Sequence, residues 1–279
     1  MASAVLKVAA VQMAPELGAV EINRPRVLAK LEVAAGAGAG LIVFPECVTS
    51  GYNFSDLDAA RRVAETMPGP TSEAVVGTCR RLGVHAVVGL LERAADRVYN
   101  SALLVGPEGL VACYRKTHLP CLGVDRFVSA GDRLAVHDTP LGRLGLLICY
   151  DLRFPEAARV LALQGADVIV HPTNWHWTSD DFPDFITRAR ARESRVYVVS
   201  ADRWGHEGEA RYLGRSQVVD VSGQVLAEAG REGDTILYAD LDLDKPRQKH
   251  MVLEPGVFES DLVADRRPDL YGPLSERAR

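Results

Sequence analysis

Cys149, in the stretch Arg143 to Glu156 (RLGLLICYDLRFPE), is the cysteine best placed to act as a nucleophile. Leu144 to Ile148 is an apolar run of strand length, and Phe154-Pro155-Glu156 reads as the first turn of a helix, where proline is tolerated. Cys149 therefore falls on the bend between strand and helix. A side chain there is held clear of its neighbours and lies beside unpaired N–H groups of the coming helix. The same residue also fits as a small buried hydrophobe at a strand end, since free cysteine is often buried. Attack requires the thiolate, and an unperturbed thiol with a pKa of ~8.5 is only slightly ionised at neutral pH.

Two other residues could supply what Cys149 lacks. Glu46 closes the run LIVFPE, and Lys116 lies in RKTHLP after another strand pattern. A lysine favours the thiolate and can face the negative oxygen formed when a carbonyl is attacked. A carboxylate can accept the thiol proton and later activate water. With the backbone N–H of Tyr150, these residues make a nucleophile, a base and an oxyanion site. Glu46 and Lys116 could equally be a structural ion pair, and Lys116 alone a solvated cation.

The intervening patterns are those of an α/β protein. Val5 to Met13 alternates as a strand, and Glu21 to Ala35 carries Val27, Leu28, Leu31 and Ala35 at helical spacing. The glycines of AAGAGAG (34–40) come after this helix and before strand Leu41 to Phe44, which suits a helix terminator and not a phosphate loop. Helices are expected over Asp56 to Glu65 and Ser72 to Leu82, separated by Pro68-Gly69-Pro70. Strands follow at Val84 to Leu91, Val98 to Gly106 and Leu110 to Tyr114, the last two joined as a hairpin. The turn-rich segment Arg115 to Asp132 has the length of a functional loop. Later come helix Pro155 to Gln164, strand Asp167 to Val170, helix Asp181 to Ser194, and strands at Arg195 to Ala201, Gln217 to Asp220, Gln224 to Glu228 and Thr235 to Leu241. GAGLIVFPE (38–46) and GADVIVHPT (165–173) match in glycine, alanine, apolar run and proline, as two loosely duplicated units would.

The bulk composition narrows the partners. A chain of 279 residues with 47% hydrophobic and 25% charged residues can bury a sizeable core, and a net charge of -5 gives no reason to expect nucleic acid. A small molecule is the expected partner. Five cysteines with no CxxC spacing suggest free thiols in a reducing cytoplasm. The run Ala4 to Met13 is broken by Lys7 and Gln12, and no stretch approaches 18 apolar residues, so neither export nor membrane insertion is expected. The seven histidines, including His171, His176, His206 and His250, show no metal-ligand spacing, and no metal is expected.

At Glu46, Lys116 and Cys149 the chain resembles the carbon-nitrogen hydrolase (nitrilase) superfamily. The resemblance rests on VFPE with Ser50-Gly51-Tyr52, on YRKTHLP, on LLICYDLRFPE, on PTNW (172–175) and on AAVQMAP near the start, and spans nearly the whole length. It implies a four-layer α-β-β-α sandwich, pairing through its helices into homodimers or larger assemblies. It also implies a Glu46, Lys116, Cys149 triad that cleaves non-peptide C–N bonds through a thioester without metal or organic cofactor. Many members carry a further glutamate between the lysine and cysteine motifs; none occurs here, and Asp125 in LGVDRFV is the candidate additional acid. Asn174 and Trp175 of PTNW, with Tyr52, are expected to line the substrate cavity.

The expected protein is thus a single domain (1–279), with residues 245–279 as a tail packing on the domain or a neighbouring subunit. It would be a cytoplasmic, cofactor-free hydrolase of a small amide or N-carbamoyl amine. CYDLRFPE looks like the amidase and carbamoylase branches and unlike the CWE pattern of true nitrilases. The alternatives are a nitrilase, an acyltransferase on the same fold, or a catalytically silent scaffold.

Overall fold

The computed structural model describes residues 5–276; Ala4 and the last three residues of the expected tail lie outside them. With elements numbered in chain order, the first sheet contains β1 (Val5–Gln12), β2 (Leu41–Val43), β3 (His85–Ala94), β4 (Arg97–Gly106), β5 (Gly109–Arg115) and β14 (Thr235–Asp242), in the order β14-β1-β2-β3-β4-β5. The second contains β6 (Val136–Thr139), β7 (Gly142–Leu146), β8 (Val168–Thr173), β9 (Tyr197–Asp202), β12 (Gln217–Val219) and β13 (Val225–Glu228), in the order β13-β12-β9-β8-β7-β6. Each sheet has three parallel strands at its centre, β1, β2 and β3 in one and β7, β8 and β9 in the other. β2 and β8, the strands of the two similar sequence runs, are the middle members of these triplets.

Side chains alternate across a strand, so a strand covered on both faces reads as a continuous apolar run. In β2, Leu41 and Val43 face the core between the sheets, while Ile42 and the following Phe44 face helices. The helices on that side are α1 (Val20–Gly36), which buries Val27 and Leu31, and α3 (Pro70–Leu82), which buries Val75 and Cys79. On the far side of the second sheet, α4 (Pro155–Leu163) buries Ala157, Ala158 and Leu161, and α5 (Thr187–Ser194) buries Ala191. The layers are helix, sheet, sheet, helix, as expected. At roughly 1.5–3 kcal/mol for each large aliphatic side chain removed from water, burial across three layer contacts is the main favourable contribution.

Several local expectations change. The helix expected over Asp56 to Glu65 is shorter, α2 (Leu57–Val63), with the Asp56 carboxylate accepting from the Ala59 N–H at its start. The helix expected over Asp181 to Ser194 opens with a π turn, Phe182–Ile186, before α5. Pro183 lies in that turn and has no N–H to donate. The expected direct passage from strand to helix at Cys149 is also wrong: a 3-10 turn, Cys149–Arg153, precedes α4. The N–H groups beside Cys149 therefore belong to this turn.

The four-residue strands β6, β10 (Trp204–Glu207) and β11 (Ala210–Leu213) escaped the sequence analysis, and with them the hairpins β6–β7 and β10–β11, because strands so short carry too little periodicity. The tail forms a short helix α6 (Asp244–Arg247) and a hairpin of β15 (His250–Glu254) and β16 (Phe258–Asp261). It is tied back by Lys249, whose Nζ donates to the carbonyls of Ser194 (3.1 Å) and Arg195 (2.8 Å). Among the described residues no helix is long and apolar enough to cross a membrane.

Candidate active site

Glu46 lies just beyond β2, where the chain turns so tightly that Cys47 has a φ of +48°. The turn packs against Gly89 of β3, where a Cβ would come within 2.4 Å of the Pro45 carbonyl and 2.7 Å of the Glu46 Cα. Glycine is thus required for this carboxylate to lie where it does. Lys116 follows β5, and its N–H donates to the Asn100 carbonyl on β4 at 2.8 Å. Glu46 and Lys116 are both fully buried, and the lysine Nζ donates to Glu46 Oε1 at 2.7 Å.

The same ammonium donates to Asp125 Oδ2, in a short 3-10 turn of the loop after Lys116. Asp125 also accepts from the Tyr52 hydroxyl at 2.8 Å, and Tyr52 in turn packs on Gly123 so closely that a Cβ there would overlap its ring. Asn100 joins the group: its Nδ2 donates to Glu46 Oε1 (2.6 Å) and to Asp125 Oδ1 (2.9 Å). The candidate additional acid therefore touches the lysine, and Tyr52 reaches it too.

Cys149 opens the 3-10 turn that follows β7, with a φ of +45°. Such a conformation costs a residue with a Cβ on the order of 1–3 kcal/mol and persists only where its surroundings fix it. Two buried groups do so here. Asp151 accepts the Ile148 N–H at 2.9 Å just before the cysteine, and His171 Nε2 lies 3.0 Å from the Cys149 carbonyl oxygen. Burial pulls the His171 pKa down to about 4, so the ring is neutral at physiological pH, and its Nε2 must carry the proton to donate to that carbonyl. The half-buried Tyr150 comes second in the turn, where N–H groups have no partner within the helix.

The electrostatics follow from the burial. Desolvation, then the Glu46 carboxylate, push the Cys149 thiol well above its ordinary pKa, opposed by Lys116, the Thr173 hydroxyl and the Asn174 backbone N–H. Burial likewise raises Glu46, with Lys116 and Asn100 opposing it. Burial alone would lower Lys116, yet the Asp125 and Glu46 carboxylates outweigh it and keep the group a cation. The resting site thus holds a neutral thiol and an ammonium bonded to the carboxyl groups of Glu46 and Asp125. A thiol placed among these groups can lose its proton to a neighbouring carboxylate as it attacks, while the ammonium faces negative charge that develops.

The segment after β8 closes the other side. Asn174 and Trp175 are each only 1% exposed. Among the described residues neither the Asn174 amide nor the Trp175 Nε1 has a hydrogen-bond partner, which is uncommon for buried polar atoms. The Trp175 ring stacks on Phe182 with centroids 5.5 Å apart, and the Trp175 backbone N–H donates to Asp202 Oδ1 at 2.9 Å. Behind Tyr52, the buried pair Arg203–Glu207 holds the loop after Glu46: Glu207 Oε2 accepts the N–H groups of Tyr52 and Asn53. Among the described residues no group of three His, Cys, Asp or Glu is arranged to hold a metal ion.

The structure thus brings Glu46, Lys116, Asp125 and Tyr52 into one bonded cluster, which interacts electrostatically with Cys149. Asn174 and Trp175 lie on the opposite, second-sheet side. Sequence reasoning missed Asn100, His171 and Asp151. Asn100 carried a signal, since asparagine in the middle of the apolar strand VYNSALLV is disfavoured unless a buried polar partner awaits it.

The chain matches the family model Carbon-nitrogen hydrolase over residues 7–250. It is 35% identical to a nitrilase of Pyrococcus abyssi over 95% of this chain and 99% of that one. It is 34% identical to the human omega-amidase NIT2, covering 89% and 91% of the two chains. Among solved structures, Saccharomyces cerevisiae Nit3 of the nitrilase superfamily superposes with a TM-score of 0.78 at 28% identity, covering 91% of this chain and 97% of that one. A mutant of the amidase from Nesterenkonia sp. AN1, in which acrylamide has added to the active-site cysteine, gives a TM-score of 0.74 at 25% identity over 88% and 96% of the chains. With its sandwich fold and this match over most of its length, the chain belongs to the carbon-nitrogen hydrolase family.

Proposed function

We propose that the protein hydrolyses a small linear amide or N-carbamoyl amine through a thioester on Cys149. The observation that carries this reading is the buried lysine held between Glu46 and Asp125 beside a strained, neutral thiol. Glu46 accepts the thiol proton as Sγ bonds to the carbonyl carbon. The carbonyl electron pair moves onto oxygen, where Lys116 and the Tyr150 N–H stabilise it. Glu46 then gives its proton to the nitrogen, the C–N bond breaks, and ammonia or an amine leaves. Water attacks the thioester, its proton passing to Glu46, and collapse of this second intermediate returns the acid product and the thiol. Asp125 keeps Lys116 cationic throughout and holds it through a second bond.

The amidase reading is supported by CYDLRFPE and by the omega-amidase and amidase relatives. One observation favours a nitrilase instead, the Pyrococcus abyssi relative of that name. A nitrile attacked at Cys149 gives a thioimidate whose nitrogen must be protonated from another direction, so nitriles are expected to react at least about two orders of magnitude more slowly. Ammonia release from matched amide, carbamoyl amine and nitrile substrates, with Cys149→Ala as the blank, tests this. Comparable rates on a nitrile and its amide would put the nitrilase reading first.

We place the enzyme in the cytoplasm as a homodimer or larger assembly. The exposed Val160 and Leu163 of α4, beside its buried face, support association through the helical layer. Residues 245–279 complete the same domain in this reading.

A further inference from the structure

Asp151 stands two residues after the nucleophile, is fully buried, and takes no direct part in the chemistry above. Its two oxygens accept bonds from both sequence motifs of the site. Oδ2 accepts the Ile148 N–H (2.9 Å) and the Tyr114 hydroxyl (2.7 Å). Oδ1 accepts the Thr117 hydroxyl (2.9 Å) and the His118 N–H (2.8 Å), and lies 2.7 Å from His118 Nδ1. Tyr114 lies two residues before Lys116, Thr117 and His118 directly after it, and Ile148 immediately precedes Cys149. One carboxylate is thus bonded on both sides of the lysine and to the strained bend that carries the cysteine.

The geometry assigns Asp151 as the positioning residue that fixes Lys116 against Cys149, holding the lysine loop and the nucleophile bend at one spacing. The two segments come from different sheets, β5 and β7, and the sheets meet through apolar side chains, which fill space without fixing register to a few tenths of an ångström. Hydrogen bonds to one shared carboxylate do so, and an ionised acceptor forms the stronger kind. Burial opposes ionisation of Asp151, but the His118 bond, the Lys116 charge and the Ile148 and Tyr114 bonds prevail and hold its pKa below the usual carboxylate value. His118 is held in turn by stacking on Phe154, with ring centroids 4.0 Å apart. A misplacement on the order of 1 Å at a reacting centre is enough to cost about 100-fold in rate.

This assignment rests on the amide-hydrolase reading for its kinetic consequence, but alkylation of Cys149 reports on it independently of any substrate. Asp151→Asn keeps the volume and replaces one acceptor oxygen by an NH2 group that faces existing donors. With an amide substrate, this variant is expected to lower kcat about 100-fold and to leave KM within about threefold. Iodoacetamide should alkylate its Cys149 more slowly, with the midpoint of the pH–rate curve moved upward, because Lys116 no longer faces the thiolate at the same spacing. Loss of stability alone would move neither the midpoint nor the ratio of kcat to KM in folded protein. Tyr114→Phe removes one donor and should show the same changes on a smaller scale, which keeps the test open if Asp151→Asn fails to fold. Wild-type kcat and an unmoved alkylation midpoint in a folded variant would overturn the assignment. Absent amide turnover in the wild type, with the midpoint shift still present, would instead overturn the substrate reading.

Discussion

The two sheets make unlike contributions to the site. The first supplies Glu46, Asn100 and Lys116, with Asp125 from the loop that follows, a charged cluster in which Glu46 Oε2 alone lacks a partner among the described residues. The second supplies Cys149, His171 and the run Thr173-Asn174-Trp175, which is uncharged at neutral pH and in which several buried polar atoms are unpartnered. β2 and β8 begin with similar sequences and occupy equivalent central positions, yet one ends in a carboxylate and the other in amide and indole groups. Charges are tolerable in the interior only when paired, so the first side must be built as a closed network. The second side carries a neutral thiol and can leave hydrogen-bonding capacity for what the thiol attacks. On this account, damage to the charged cluster should appear in the rate of chemistry, as should loss of the thiol, and damage to the unpartnered Asn174 and Trp175 in binding and positioning.

Lys116→Ala should have the largest effect, lowering kcat by about 100- to 1,000-fold, the cost of losing one oxyanion donor. It leaves Glu46 and Asp125 buried without their cation, and their neutralisation by protonation would remove the base as well. Steady-state kinetics, with circular dichroism to verify folding, measures this. Retention of a tenth of wild-type activity would make Lys116 a purely structural cation.

Asn100→Ala should act less strongly and in a direction the electrostatics fix. In the proposed mechanism Glu46 must be ionised to act as the base; burial already raises its pKa, and the Asn100 bond is one of the interactions holding it down. Removing that bond raises the pKa further, so the acidic limb of kcat/KM should move to higher pH, with about a tenfold loss of activity below it. An unchanged limb would separate Asn100 from the base.

Trp175→Phe should have the smallest effect and a different kind of effect, raising KM about threefold while kcat changes little, since a phenyl ring keeps much of the stacking on Phe182 but removes the unpartnered Nε1. A fall in kcat with KM unchanged would erase the distinction between the two sides.

The sequence made the two sides unequally legible. Glu46, Lys116 and Cys149 stood out because each is a chemically capable residue at the end of an apolar run, and long periodic segments such as Val98 to Gly106 and Pro155 to Gln164 were nearly right in extent. The bonded partners were harder to read. Asp151 sat within the cysteine motif without a visible role, because its donors at 114, 117 and 118 are distant in sequence and only the meeting of β5 and β7 brings them within reach. His171 looked like one of several unspaced histidines until folding placed its ring against the Cys149 carbonyl. The 3-10 turn at Cys149 was masked by Pro155, whose helix-starting preference is genuine but acts six residues later.

The central claim, an acyl group carried on Cys149, is tested most directly by rapid acid quenching during turnover of a small amide, followed by peptide mass spectrometry. The account predicts an adduct of the acyl mass on the peptide containing Cys149, present in wild type and absent in Cys149→Ala. Turnover with the acyl group on Cys47 or Cys121, or turnover undiminished in Cys149→Ala, would contradict it.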